Sequence, residues 1–203
     1  MFEQGFFIWG QWLSYLELAA MISGVLGVWL TMKQNVLCFP VGMINVGLYA
    51  FLFFTPGIRL YADALLQCIY FFLLIYGWYK WSGGNTHKEL AIPSSMSKPE
   101  WKNVILIAIP SALVLGTFLQ AFTNADLAWA DSSLTVLSLI AQWMIAKKKI
   151  ENWMLWILAD ICYIPLYIYK DLPLTAFLYF LFLMLAIKGL KEWKQSILQS
   201  KHA

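Results

Sequence analysis

Apolar residues in this chain come in long blocks separated by short polar breaks. Residues 34–58 and 103–125 contain no charged residue at all. A helix needs about 20 predominantly apolar residues to cross a bilayer. Seven blocks meet that length, which predicts membrane-spanning helices over 13–32, 36–54, 61–80, 103–122, 129–146, 152–169 and 173–190. The strands of a membrane barrel would instead alternate apolar and polar residues over short segments. The connections are short except for residues 82–101, which are rich in Gly, Ser, Pro and Lys. The expected fold is an all-α polytopic membrane protein forming one transmembrane domain over 1–203.

Composition strengthens this reading. Of 203 residues, 61% are hydrophobic and only 12% are charged, about half the charged share of an ordinary soluble domain. The first ten residues hold Glu3 and no Lys or Arg, so no cleavable signal peptide is expected. Charge distribution adds an orientation. With the N-terminus outside, twelve of the 14 Lys and Arg residues fall inside, leaving only Arg59 and Lys170 outside. The positive-inside rule then places the N-terminus outside the cytoplasm and the C-terminus within it. Cys38, Cys68 and Cys162 lie in apolar runs without a CxxC pair, and the two histidines lie outside the spans. Neither a metal site nor a disulfide frame is expected. No phosphate-binding motif points to ATP, to another cofactor or to nucleic acid.

Parts of the chain recur. VWLTMK at 28–33 parallels QWMIAK at 142–147, and Gly77…Trp81 parallels Gly189…Trp193. Asn45 pairs with Asp160 at nearly the same offset. The common order suggests a three-helix unit over 13–80, a connecting helix over 103–122 and a second three-helix unit over 129–193. An odd number of connecting spans keeps both units in the same orientation, a known transporter plan with the substrate held near the midplane.

Polar residues inside the spans are the candidate chemistry. On a helix, Trp153, Trp156, Asp160, Tyr163 and Tyr167 share about 80° of arc. Asn45 and Tyr49 share a face of the second span, and Asp63, Gln67 and Tyr70 share one of the third. Aspartate at a helix centre costs about 2.5–3.5 kcal/mol to insert, so Asp160 requires a polar partner or a cargo. Two indoles, an acid, amides and phenols suit a flat cationic ring carrying hydroxyls. Trp78, Trp81, Trp101 and Trp193 fall near span ends, where interfacial belts are expected.

The pattern Trp153-Met-Leu-Trp156-Ile-Leu-Ala-Asp160 resembles the WxxWxxxN/D signature of the Pnu family of bacterial vitamin transporters. YAD…LQ…Y before GWYKW and the closing Gly189…Trp193 resemble it too, and the likeness covers about residues 10–195. It implies seven helices arranged 3+1+3 as parallel repeats, like full-length SWEET sugar transporters. It also implies facilitated uptake of nicotinamide riboside across the inner membrane, with thiamine or another unphosphorylated B vitamin as the alternative cargo. A cytoplasmic kinase acting downstream, without direct contact, would trap the product. Members of the family often form trimers, so the resemblance includes a homotrimer among the assemblies it implies. The residues expected at the site are Trp153, Trp156, Asp160, Asn45, Tyr49, Gln67, Asp63 and Tyr163.

Two other classes compete. An intramembrane enzyme would need Asp63 and Asp160 as a close pair, and no nucleophile–base motif supports it. A structural subunit would lock Asn45, Gln67 and Asp160 in hydrogen bonds between helices.

Overall fold

A computed structural model of the protein describes residues 4–54, 61–83, 92–122 and 127–200. A hairpin of β1 (Gly5–Ile8) and β2 (Gln11–Ser14) precedes seven helices. These are α1 (Tyr15–Met32), α2 (Cys38–Phe54), α3 (Tyr61–Ser82), α4 (Lys98–Phe122), α5 (Ala128–Ala146), α6 (Asn152–Tyr169) and α7 (Pro173–Ser200). All seven expected helices are present. By length and apolar composition, α1, α4 and α7 are clear membrane spans, and α2 is a shorter apolar helix.

Most ends fall within two residues of the sequence expectation, and the exceptions have local causes. α4 starts at Lys98 rather than 103 because Ser97 and Glu100 form a reciprocal cap. The Ser97 N–H and Oγ–H donate to Glu100 Oε2 at 2.7 and 2.8 Å, satisfying a helix-start donor that would otherwise lack a partner. α7 continues to Ser200 rather than 190, because its polar last turns remain helical beyond the apolar block. The hairpin was not expected. Trp9 and Gly10 both have positive φ, 50° and 78°, the two-residue turn that matches strand twist. Four-residue strands next to an apolar helix leave too little alternation to read.

Glu100 also accepts from Lys149 at 3.2 Å, tying the start of α4 to the α5–α6 turn. The Ser97 N–H, then Lys149 and the Ser97 hydroxyl, pull the Glu100 carboxyl down to about 2 from 4.5. A depressed folded value stabilises the fold above 4.5, and that contribution is lost as the pH falls toward 2. Glu100→Gln should therefore flatten the acid limb of a melting-temperature profile in detergent. The effect should be small, because the pair is partly exposed. Equal slopes for both proteins would remove Glu100 from the acid response.

Packing divides the helices into two groups. α1 packs on α2 and α2 on α3, while α5 packs on α6 and α6 on α7. The groups meet through α1 against α7 and through α3 against α5, and α4 packs on α5. One buried cluster gathers Leu30, Cys38, Phe39, Val46, Leu74 and Ile145, and another gathers Met32, Trp153, Ala186 and Trp193. Trp156 packs against both.

The α1–α2 and α5–α6 turns have matching hydrogen bonds at a constant offset of 114 residues. Gln34 N–H donates to Thr31 O and Asn35 N–H to Leu30 O; Lys148 N–H donates to Ile145 O and Lys149 N–H to Met144 O. Gln34 and Lys148 both have positive φ, 55° and 51°. The same offset relates the stacked pairs Tyr49–Phe53 and Tyr163–Tyr167, with centroids 5.8 and 5.9 Å apart. This register sets Asp160 opposite Val46 and Asn45 opposite Ala159. The sequence match of Asn45 with Asp160 is therefore one residue out of step.

Candidate functional site

α6 carries a line of buried polar atoms without hydrogen-bond partners. Both carboxylate oxygens of Asp160, the Trp153 Nε1 and the Asn152 Oδ1 are among them. Asp160 is 1% exposed, so it lies in packed protein. An unsatisfied buried polar group costs about 1–3 kcal/mol, and more when charged. A fold optimised only for stability would not place a carboxylate here.

The phenols form a stack above it. Tyr163 lies 4.7 Å from Tyr179 of α7, and Tyr167 stacks on Tyr179 at 5.0 Å and 20°. The Phe182 edge meets Tyr179 at 5.8 Å. Tyr70 on α3 and Tyr163 both lie beside Ser138 of α5. These rings therefore draw α3, α5, α6 and α7 to one place. Tyr179 was missed in the sequence because the run LTAFLYFLFLML around it holds no charge or amide and only Thr175 as a polar residue beside it.

The other expected residues separate. Asn45 Nδ2 donates to Ala20 O at 2.6 Å, where Gly24 leaves room for the amide. This is a bond between α1 and α2. Gln67 lines a shallow groove of about 170 Å³ with Val46, Gly47 and Cys68, between α2 and α3. Tyr49 stacks on Phe53 within α2. The Asp63 side chain lies outside the described residues. Trp153 is 1% exposed and packs edge-on to Trp193, with centroids 5.5 Å apart at 89°. Trp156 is half-buried one turn deeper.

Trp193 and Trp81 do not form a lipid-facing belt. Trp193 is fully buried, and its Nε1 donates at 3.2 Å to Thr31 O and Met32 O. Trp81 is half-buried, and its Nε1 donates to Ile145 O at 3.2 Å. Span ends give depth in the membrane but not the direction in which a ring points. Lys148 lies 4.5 Å above the Trp81 ring, and burial holds its ammonium below the ordinary lysine value.

Residues 14–195 match the family described as nicotinamide mononucleotide transporters. The chain belongs to this family. It is 26% identical over 215 residues to the nicotinamide riboside transporter PnuC of Escherichia coli strain K12, covering 92% of this chain and 88% of that protein. It is 23% identical to the riboflavin/roseoflavin transporter RibM of Streptomyces davaonensis, covering 94% of this chain and 90% of that protein. The crystal structure of the vitamin B3 transporter PnuC superposes with a TM-score of 0.73 at 23% identity, over 91% of this chain and 83% of that one. That likeness establishes the fold. As a member of this transporter family with apolar helices, the chain is an integral membrane protein and a carrier rather than an enzyme. Among the described residues no cluster of His, Cys, Asp and Glu could hold a metal ion.

Proposed function

We propose that this chain carries nicotinamide riboside across the bacterial inner membrane by facilitated diffusion. The reading includes an extracytoplasmic N-terminus, a cytoplasmic C-terminus and trapping by a separate cytoplasmic kinase. The names of the PnuC relatives support the cargo, and the carrying observation is Asp160. Its two oxygens are buried and unpartnered, as expected of a group whose partner is a transient cation. Trp156 and Tyr163 would flank that cation with aromatic faces, worth about 0.5–2 kcal/mol each when dry. Asn45 would hold α2 against α1, and Trp153 would form the floor.

The riboside fits this setting better than the mononucleotide of the family description. No Lys or Arg occurs within 103–146, 150–169 or 171–187. A phosphate dianion beside Asp160 would meet like charge and no cation from α4, the body of α5, α6 or the first half of α7. An unphosphorylated pyridinium would meet only favourable charge.

The parallel-repeat arrangement belongs to the same proposal. The 114-residue offset shared by turns and ring stacks supports it, as does the reciprocal contact of α1 with α7 and α3 with α5. Alternating access would follow from rocking one unit on the other.

The test is binding to purified protein in detergent, by calorimetry, with nicotinamide riboside, its phosphate, thiamine and riboflavin. We expect heat from nicotinamide riboside and none from its phosphate. Trp156→Ala should lose that heat in the protein that folds, with a lower yield because its indole packs against both buried clusters. Binding of thiamine alone would move the cargo within the vitamin class. Preference for the phosphate would overturn the charge argument.

A further inference from the structure

The two groups of helices are joined at one end by two indole N–H donors of the same kind. Trp81, closing α3, reaches the last turn of α5, and Trp193, in α7, reaches the last turn of α1. Donors and acceptors recur at the offsets of the sequence matches, 112 for the tryptophans and 114 for the carbonyls of Thr31 and Ile145. Each indole meets a second ring edge-on. Phe39 lies 5.0 Å from Trp81 at 87°, and Trp153 lies 5.5 Å from Trp193 at 89°.

Each second ring is seated on a glycine. A Cβ at Gly77 would enter the Phe39 ring, and one at Gly189 would come within 2.6 Å of Trp153. The two indoles also approach each other, with centroids 6.1 Å apart. This end holds the Lys-bearing turns at 33 and 147–149, the cytoplasmic end on the proposed orientation. A simple interfacial belt would leave the rings facing lipid, whereas here each indole N–H takes its acceptor from the other group of helices.

We propose that Trp81 and Trp193 are the paired latch of the cytoplasmic gate, and that both indole bonds break when cargo leaves the site. This rests on the transporter reading and its orientation. The bonds cross between the two rocking groups, so inward opening must separate each donor from its carbonyl. The net contribution of a hydrogen bond is modest, enough to hold a gate closed yet leave it reversible. The paired geometry makes the two bonds open together.

Cys38 is a built-in reporter. It is buried at the same end as the latch, beside Thr31 and Lys148. With Cys68→Ser and Cys162→Ser, an impermeant maleimide can modify Cys38 alone. Trp81→Phe with Trp193→Phe retains aromatic rings and removes the donors. We expect about tenfold faster labelling of Cys38 in inside-out vesicles, because both cross-group indole donors are lost. Labelling in right-side-out vesicles should stay unchanged. Unchanged labelling from inside overturns the latch, and so does an equal rise on both faces, which marks general loosening. This arm uses no cargo, so its result is independent of what the protein carries. If the Phe variants do not insert, the two-serine protein with both tryptophans intact provides the second measurement. Nicotinamide riboside, once its binding is established, should then speed labelling from inside only, and no change would overturn the latch.

Discussion

Replacing Asp160 with alanine should abolish binding of the cationic cargo while raising the melting temperature. The two effects have opposite signs because the carboxylate has no partner in the folded chain. Removing one member of a buried charge pair costs about 3–5 kcal/mol, so cargo affinity should fall by more than a hundredfold. Removing an unsatisfied buried group should return about 1–3 kcal/mol of stability. For a chain of this size that amounts to about 2–4 °C per kcal/mol. Asp160→Asn should raise stability too, and retain weak binding through its amide oxygen. Calorimetry and a thermal melt in one detergent measure both quantities. If both substitutions lower the melting temperature, Asp160 is a structural hydrogen-bonding residue and the site must lie elsewhere.

Gly189→Ala should be among the most damaging single-methyl changes in the chain. Its Cβ would lie 2.6 Å from the Trp153 ring. That ring cannot withdraw, because Trp193 stands against it and is itself held by Thr31 O and Met32 O. Overpacking a rigid core costs about 1–3 kcal/mol, so folded yield and melting temperature should both fall. Trp153→Phe in the same chain should restore part of the loss by shrinking the obstructing ring. Gly47→Ala is the control: a Cβ there meets nothing within 4 Å, and its melt should be nearly unchanged. A normal melt for Gly189→Ala would mean that Trp153 is free to move, which would strengthen its claim as a cargo contact.

Bilayer thickness made the helices legible, because it imposes a block length that composition must satisfy. Asp160 was legible for a related reason: hydrocarbon makes any carboxylate conspicuous. Facing was harder to read. Asn45 looked like a cargo ligand because an amide in a span needs a partner, but the sequence could not show that Ala20 O supplies one. Trp193 looked interfacial from its depth, while its orientation depends on α1, which lies far away in sequence. Tyr179 was hidden because nothing in its own helix sets it apart; its three aromatic neighbours come from folding α7 against α6 and from its own next turn.

The register that sets Val46 opposite Asp160 makes the two helix groups unequal at one matched position. Two identical halves would bring a carboxylate from each toward a common axis, and like charges in a dry interior repel. Joining the halves in one polypeptide allows them to diverge. Here one half has Val46 at this position and the other has Asp160, so a cation bound by the proposed site would be held off-centre by a single half. Val46→Asp would bring a second carboxylate to the matched position and restore that repulsion.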